Sequence, residues 1–94
     1  MSKIQVLDFY AEWCGPCKAM NPLIESLASK HNVEGSNIEI KKINVDSERG
    51  ISEKYGIRSI PTLVFLKEGE EVFRSVGAQS KDKIESKISE LEIN

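Results

Sequence analysis

The apolar residues of this chain fall into two rhythms. Ile4 to Phe9 is a short apolar run broken by Asp8, and it reads as a buried strand. From Pro16 to about His31 the spacing changes. Met20, Leu23, Leu27 and Ala28 recur at helical intervals and mark the apolar face of a long helix, with Lys30 and His31 suited to its negative end. Pro22 falls inside that helix, where it removes one ladder hydrogen bond and should bend the axis. Asn32 to Asn37 is polar, contains Gly35 and reads as a loop before a second strand, Ile38 to Val45. Ser47 to Tyr55 is a short helix candidate that Gly56 is well placed to end.

Thr62 to Lys67 and Val72 to Val76 read as strands, and the short connection Glu68-Gly69-Glu70-Glu71 makes them an antiparallel hairpin. Ser80 then caps a last helix that carries Ile84, Ile88 and Leu91 on one side. The order is β-α-β-α-β-β-α. A strand, a helix and a returning strand imply parallel pairing, and the hairpin adds antiparallel neighbours. The expected class is α/β: a four-stranded mixed sheet flanked by helices.

Composition narrows the setting. With 94 residues and no linker, repeat or low-complexity tract, residues 1–94 are expected to form one domain, with roughly 60% to 70% of the unfolded surface buried. Thirteen basic and fifteen acidic residues leave a net charge of −2 without a basic cluster, so nucleic acid is not an expected partner. Asp8 stands where a signal peptide needs its apolar stretch, and no segment approaches the ~20 apolar residues of a membrane span. The expected location is the cytoplasm, where disulfides tend to be transient and catalytic.

Both cysteines lie in Trp13-Cys14-Gly15-Pro16-Cys17-Lys18, where the first strand gives way to the long helix. A sulfur at that helix start faces backbone N–H groups without intrahelical partners and the positive end of the helix dipole. Both favour thiolate over thiol, so the Cys14 pKa should fall below the free value of roughly 8.5. Cys17, one turn further in, lies on the same helix face, within reach of the first sulfur. Pro16 fits the first turn, where its missing N–H costs nothing, and Gly15 lets another backbone come close, so the pair looks built for access.

Redox exchange is therefore one use of the pair, and three others compete with it. A structural bridge across four residues would contribute only about 1.9 kcal/mol in the chain-entropy picture, which makes it a poor staple. A zinc site needs about four ligands, and only His31 remains as a third, so no metal is expected. Two buried, inert thiols are the last possibility.

The segment Asp8-Phe9-Tyr10-Ala11-Glu12-Trp13-Cys14-Gly15-Pro16-Cys17-Lys18 resembles the active-site segment of thioredoxins. Lys54-Tyr55-Gly56-Ile57-Arg58-Ser59-Ile60-Pro61-Thr62 resembles the family's second signature and Val76-Gly77-Ala78 its third, in the same order and at similar spacing. The likeness covers nearly the whole chain. It implies the thioredoxin-like fold and a protein-disulfide reductase, with Cys14 as attacking thiolate and Cys17 as resolving thiol. It also implies disulfide-containing protein substrates, no bound cofactor, and electrons drawn from NADPH through a flavin-containing thioredoxin reductase.

Further roles follow from the same resemblance. Strand alternation sets Asp8 on the face of Ile4 and Val6, under the helix that begins at the cysteines. Desolvation there would raise its pKa and let it take a proton from Cys17. Lys42 matches the family's partner for this acid and would limit the rise. On sequence alone the Ile60-Pro61 bond would be cis only about 5% of the time, but the matching proline of thioredoxins is cis and presents the preceding backbone to the substrate. Trp13, Gly15, Pro16, Ile60, Pro61, Val76, Gly77 and Ala78 would then form a mostly apolar substrate platform. His31 falls at the far end of the helix, too remote in sequence from Cys14 for a cysteine hydrolase.

The departure from the family is at the N-terminus, where thioredoxins carry an extra strand and helix and only about three residues precede Ile4. The strand Ile38 to Val45 is thus expected at an edge, blunted by Glu39 and Lys41. A monomer is expected. Two other functions remain compatible with the resemblance: a glutaredoxin-like oxidoreductase using glutathione, and a non-catalytic binding subunit that offers the same platform.

Overall fold

Strand alternation accounts for the layering. The computed structural model describes residues 2–93. Its elements are β1 (Ile4–Tyr10), α1 (Gly15–His31), β2 (Ile38–Asn44), α2 (Arg49–Lys54), β3 (Thr62–Lys67), β4 (Glu70–Val76) and α3 (Lys81–Ile93). The sheet has the strand order β2-β1-β3-β4. β1 pairs in parallel with β2 and antiparallel with β3, which pairs antiparallel with β4. Because successive side chains on β1 point to opposite faces, Ile4 and Val6 meet α1 and α3, whereas Leu7 and Phe9 meet Tyr55 and Ile57 on the other side.

Three elements differ in detail from the sequence reading. The buried stripe of α1 is Cys17, Met20, Ile24 and Leu27, and Leu23 is only partly buried. α2 is confined to Arg49–Lys54, and no side chain caps its start. The hairpin closes through Glu68 and Gly69 alone, with φ of 53° and 83°, the paired positive values of a two-residue turn that matches strand twist. Glu70 and Glu71 therefore belong to β4, whose exposed position at the sheet edge tolerates charged residues. Pro22 lies within α1 as expected, and the Ser80 hydroxyl accepts the Lys83 N–H at 3.2 Å at the start of α3.

β2 lies at the opposite edge, and the outward backbone groups of Ile38 and Ile40 in its first half are covered. The Asn32 amide accepts the Ile40 N–H at 2.7 Å and donates to the Ile40 carbonyl at 2.9 Å, as a neighbouring strand would. The Ser36 hydroxyl does the same for Ile38, at 3.0 and 3.2 Å. On the helical side of the sheet, α1 is clipped to α3 by Glu85, which meets Lys30 at 2.6 Å and His31 at 2.8 Å.

Candidate active site

The site is assembled where β1 ends and α1 begins. Cys14 is the N-cap of α1 with extended backbone angles, and its sulfur accepts the Cys17 N–H at 3.2 Å. It thereby takes the position that a Ser or Asp oxygen occupies at an ordinary helix start. Gly15 and Pro16 are the first helical residues, so the proline ring replaces an N–H that would have had no intrahelical partner. Cys14 and Cys17 are joined as a disulfide with Cα atoms 5.2 Å apart.

The pair is less open than its spacing predicts. Each cysteine is only 5% exposed, because Ala11, Tyr10, Val45 and Ile60 pack around the two sulfurs. Approach is restricted to the rim, and the rim is dominated by Trp13, which is 70% exposed. Asp46, a residue the sequence reading did not single out, accepts the indole N–H at 2.9 Å from the loop after β2. With Val45, Ile57, Arg58, Ser59 and Ile60, Trp13 lines a groove of about 350 Å³.

Of the candidate platform residues, only Trp13 and Ile60 line this groove. The Ile60–Pro61 peptide is cis, Pro61 is fully buried and Ile60 half-buried. The Pro61 carbonyl accepts the Gly77 N–H at 2.8 Å, and Gly77 has a φ of 95° that favours glycine. This hydrogen bond ties the end of β4 to the proline, with Val76 and Ala78 exposed on either side of it.

Asp8 is 3% exposed on the α1-facing side of β1. Burial pushes its carboxyl up from the ordinary 3.8 to about 6, and the Lys42 ammonium opposes that rise. Lys42 is the register partner of Asp8 on β2, yet the two form no ion pair among the described residues. Its ammonium instead donates to Asn21 Oδ1 at 2.5 Å and lies 4.7 Å over the Tyr10 ring. Tyr10 and Ala11, at the end of β1 and just after it, pack with Cys17, so Asp8 sits two residues before the part of the chain that meets the start of α1.

Among the described residues no group of three or more His, Cys, Asp or Glu side chains is placed to hold a metal ion. His31 ends the helix that Cys14 caps, about 25 Å away at 1.5 Å per residue, which removes a cysteine–histidine pair. No helix among the described residues is long and apolar enough to cross a membrane.

The thioredoxin family model matches residues 1–90. The chain belongs to the thioredoxin family. A thioredoxin of Chlorobaculum thiosulfatiphilum is 48% identical over 88 residues, covering 94% of this chain and 79% of that protein. One from Chlamydia caviae is 47% identical over 79 residues, covering 84% of this chain and 74% of its own length. Among solved structures, a thioredoxin from Nicotiana alata superposes with a TM-score of 0.83 at 40% identity, over 96% of this chain and 74% of that one. The Fasciola hepatica thioredoxin gives 0.81 at 36% identity, over 94% and 80%. The thioredoxin fold and its Cys14–Cys17 pair make the chain a thiol–disulfide oxidoreductase that reduces protein disulfides.

Proposed function

We propose that the reduction runs through Cys14 as the attacking thiolate and Cys17 as the resolving thiol, within one domain acting as a monomer. The observation that carries this assignment is the N-cap sulfur: it is Cys14, not Cys17, that faces the unpaired N–H groups of α1 and the positive end of its dipole. Cys14 thiolate attacks one sulfur of a target disulfide, forming a mixed disulfide and releasing one target thiolate. Cys17 gives its proton to the Asp8 carboxylate and attacks the Cys14 sulfur, which releases the second target thiolate. Two electrons have passed to the target, and Cys14 and Cys17 leave as a disulfide.

The pKa of about 6 supports Asp8 as the proton acceptor, because an acid of that strength exchanges protons near neutral pH. Trp13, Gly15, Pro16, Ile60, Pro61, Val76, Gly77 and Ala78 form the docking platform in this reading. An extended target segment would hydrogen-bond to the Ile60 backbone, with little demand on its own side chains. The apolar rim excludes water while the mixed disulfide exists. No bound cofactor takes part, since both electrons reside on the two sulfurs. The family relationship supports NADPH, through a thioredoxin reductase, as their source, and the cytoplasm as the working compartment.

A trapping experiment tests the assignment. Reduced Cys17→Ser protein mixed with insulin should accumulate a disulfide-linked adduct at Cys14 that dithiothreitol releases, and the Cys14→Ser variant should form none. Adducts carried by Cys17 at equal yield would overturn the roles given to the two sulfurs.

A further inference from the structure

The Lys42 ammonium is not where its neighbourhood would send it. Asp8 and Lys42 are register partners on adjacent parallel strands, and alternation turns both side chains toward α1. A buried carboxylate with a flexible lysine beside it ordinarily draws the ammonium into an ion pair. Here the ammonium is held at the rim by Asn21 Oδ1 at 2.5 Å and by the face of the Tyr10 ring, 4.7 Å from its centroid. Asn21 lies four residues after Cys17, hence on the same face of α1, and the two side chains line one small cavity of about 40 Å³ with Tyr10 and Lys18.

We propose that Asn21 is a positioning residue for disulfide exchange: it tethers the Lys42 ammonium away from the Asp8 carboxyl and thereby sets the pH range over which Asp8 accepts the Cys17 proton. This rests on the reading of Asp8 as that acceptor. A tethered ammonium acts on the carboxylate through space and at a distance, so burial dominates and the acid stays weak enough to be protonated near neutrality. Released, the lysine can close on the carboxylate, which would then stay ionised and hold a proton poorly.

The surroundings leave few other charges to produce the effect. From β2 the carboxyl meets Lys42. From β3 its register partner is Leu63, which does not titrate. From α1 it faces the end that carries Cys17, whose thiol titrates in the reduced protein, and α3 packs its apolar Ile84 and Ile88 into the same layer. Glu12 and Lys18 border the small cavity at the rim, and neither shifts the Asp8 carboxyl as Lys42 does.

The test follows the Asp8 carboxyl by carbon NMR in the oxidised protein, and the pH profile of insulin reduction in parallel. In Asn21→Ala the Asp8 midpoint should fall by about half a pH unit or more, and the acidic limb of the rate profile should move down with it by the same threefold in proton concentration. Lys42→Met should move both upward. Asn21→Gln, which keeps an amide oxygen, should recover most of the original midpoint. A merely structural Asn21 would change the melting temperature and leave both midpoints in place; that result, or an upward move in Asn21→Ala, overturns the proposal. Asn21 is half-buried on a helix, and alanine is the better helix former, so the variant should fold. Asp8→Asn separates the two readings: if its rate profile keeps the wild-type acidic limb, Asp8 is not the proton acceptor, and both the tether's role and the acceptor's fall. If that limb vanishes while Asn21→Ala changes nothing, only the tether is wrong.

Discussion

The rim around the cysteines and the outer edge of β2 belong to one sheet but treat their polar groups in opposite ways. At the edge, Asn32 and Ser36 satisfy the N–H and C=O of Ile40 and Ile38, so a strand that could pair with a neighbour is closed by side chains. Around the cysteines, a carboxyl is buried beneath α1 without an ion pair, an indole at the rim is left 70% exposed, and the N-cap of a helix is a sulfur. The difference separates two kinds of border: the β2 edge is closed by short polar side chains, whereas the border around the cysteines keeps an exposed aromatic face and a buried carboxyl without an ion pair.

Three substitutions would break or sharpen that contrast. The largest effect is expected from Asp8→Asn. The folded-state pKa of Asp8 is raised, from 3.8 to about 6, so the wild type keeps its full stability below about pH 4 and loses it as pH climbs through 6. The displacement corresponds to roughly 3 kcal/mol, so urea unfolding at pH 7 should find the variant more stable by up to that amount, with the two proteins converging below pH 4. Equal stability at both pH values would mean that the buried carboxyl is not under strain.

Asn32→Ala should act in the other direction. It leaves the Ile40 groups without protein partners, at about 1–3 kcal/mol, and opens an edge to a second copy of the chain. A lower midpoint in urea and self-association in sedimentation are expected, with insulin reduction by the remaining monomer unchanged. The smallest stability change belongs to Asp46→Ala. It frees the exposed Trp13 indole, so stability should stay within about 0.5 kcal/mol while the KM for insulin rises several-fold. A KM equal to the wild type would show that a fixed indole is not needed for docking.

Legibility in the sequence followed the same division. The chemistry was readable because six consecutive residues carry it and because a helix start is a local signal. Three strands are readable from Ile4, Ile38 and Thr62 onward because each buries apolar residues in a short run, and β4 is readable from Val72 onward because of the short turn before it, although its apolar residues stay exposed at the edge. Ile24 and Leu23 are adjacent apolar residues, and composition does not separate them; the buried stripe runs through Cys17, Met20, Ile24 and Leu27, and Leu23 falls at its margin. Glu70 and Glu71 resemble loop residues in composition, but an edge strand can hold them. Asp46 with Trp13, and Asn21 with Lys42, join polar side chains 33 and 21 residues apart, and such contacts leave no periodic trace. Asn32 lay in a stretch read as loop, where its role as a substitute strand depends on how the chain returns to β2.

The central claim is that the first turn of α1 makes Cys14 the stronger acid and therefore the attacking sulfur. Titration of the reduced protein by thiolate absorbance, paired with identification of the first cysteine to be alkylated, tests it directly. An inflection below the free-cysteine value of about 8.5 is expected, with Cys14 alkylated before Cys17. An inflection at or above that value, or earlier alkylation of Cys17, would contradict it.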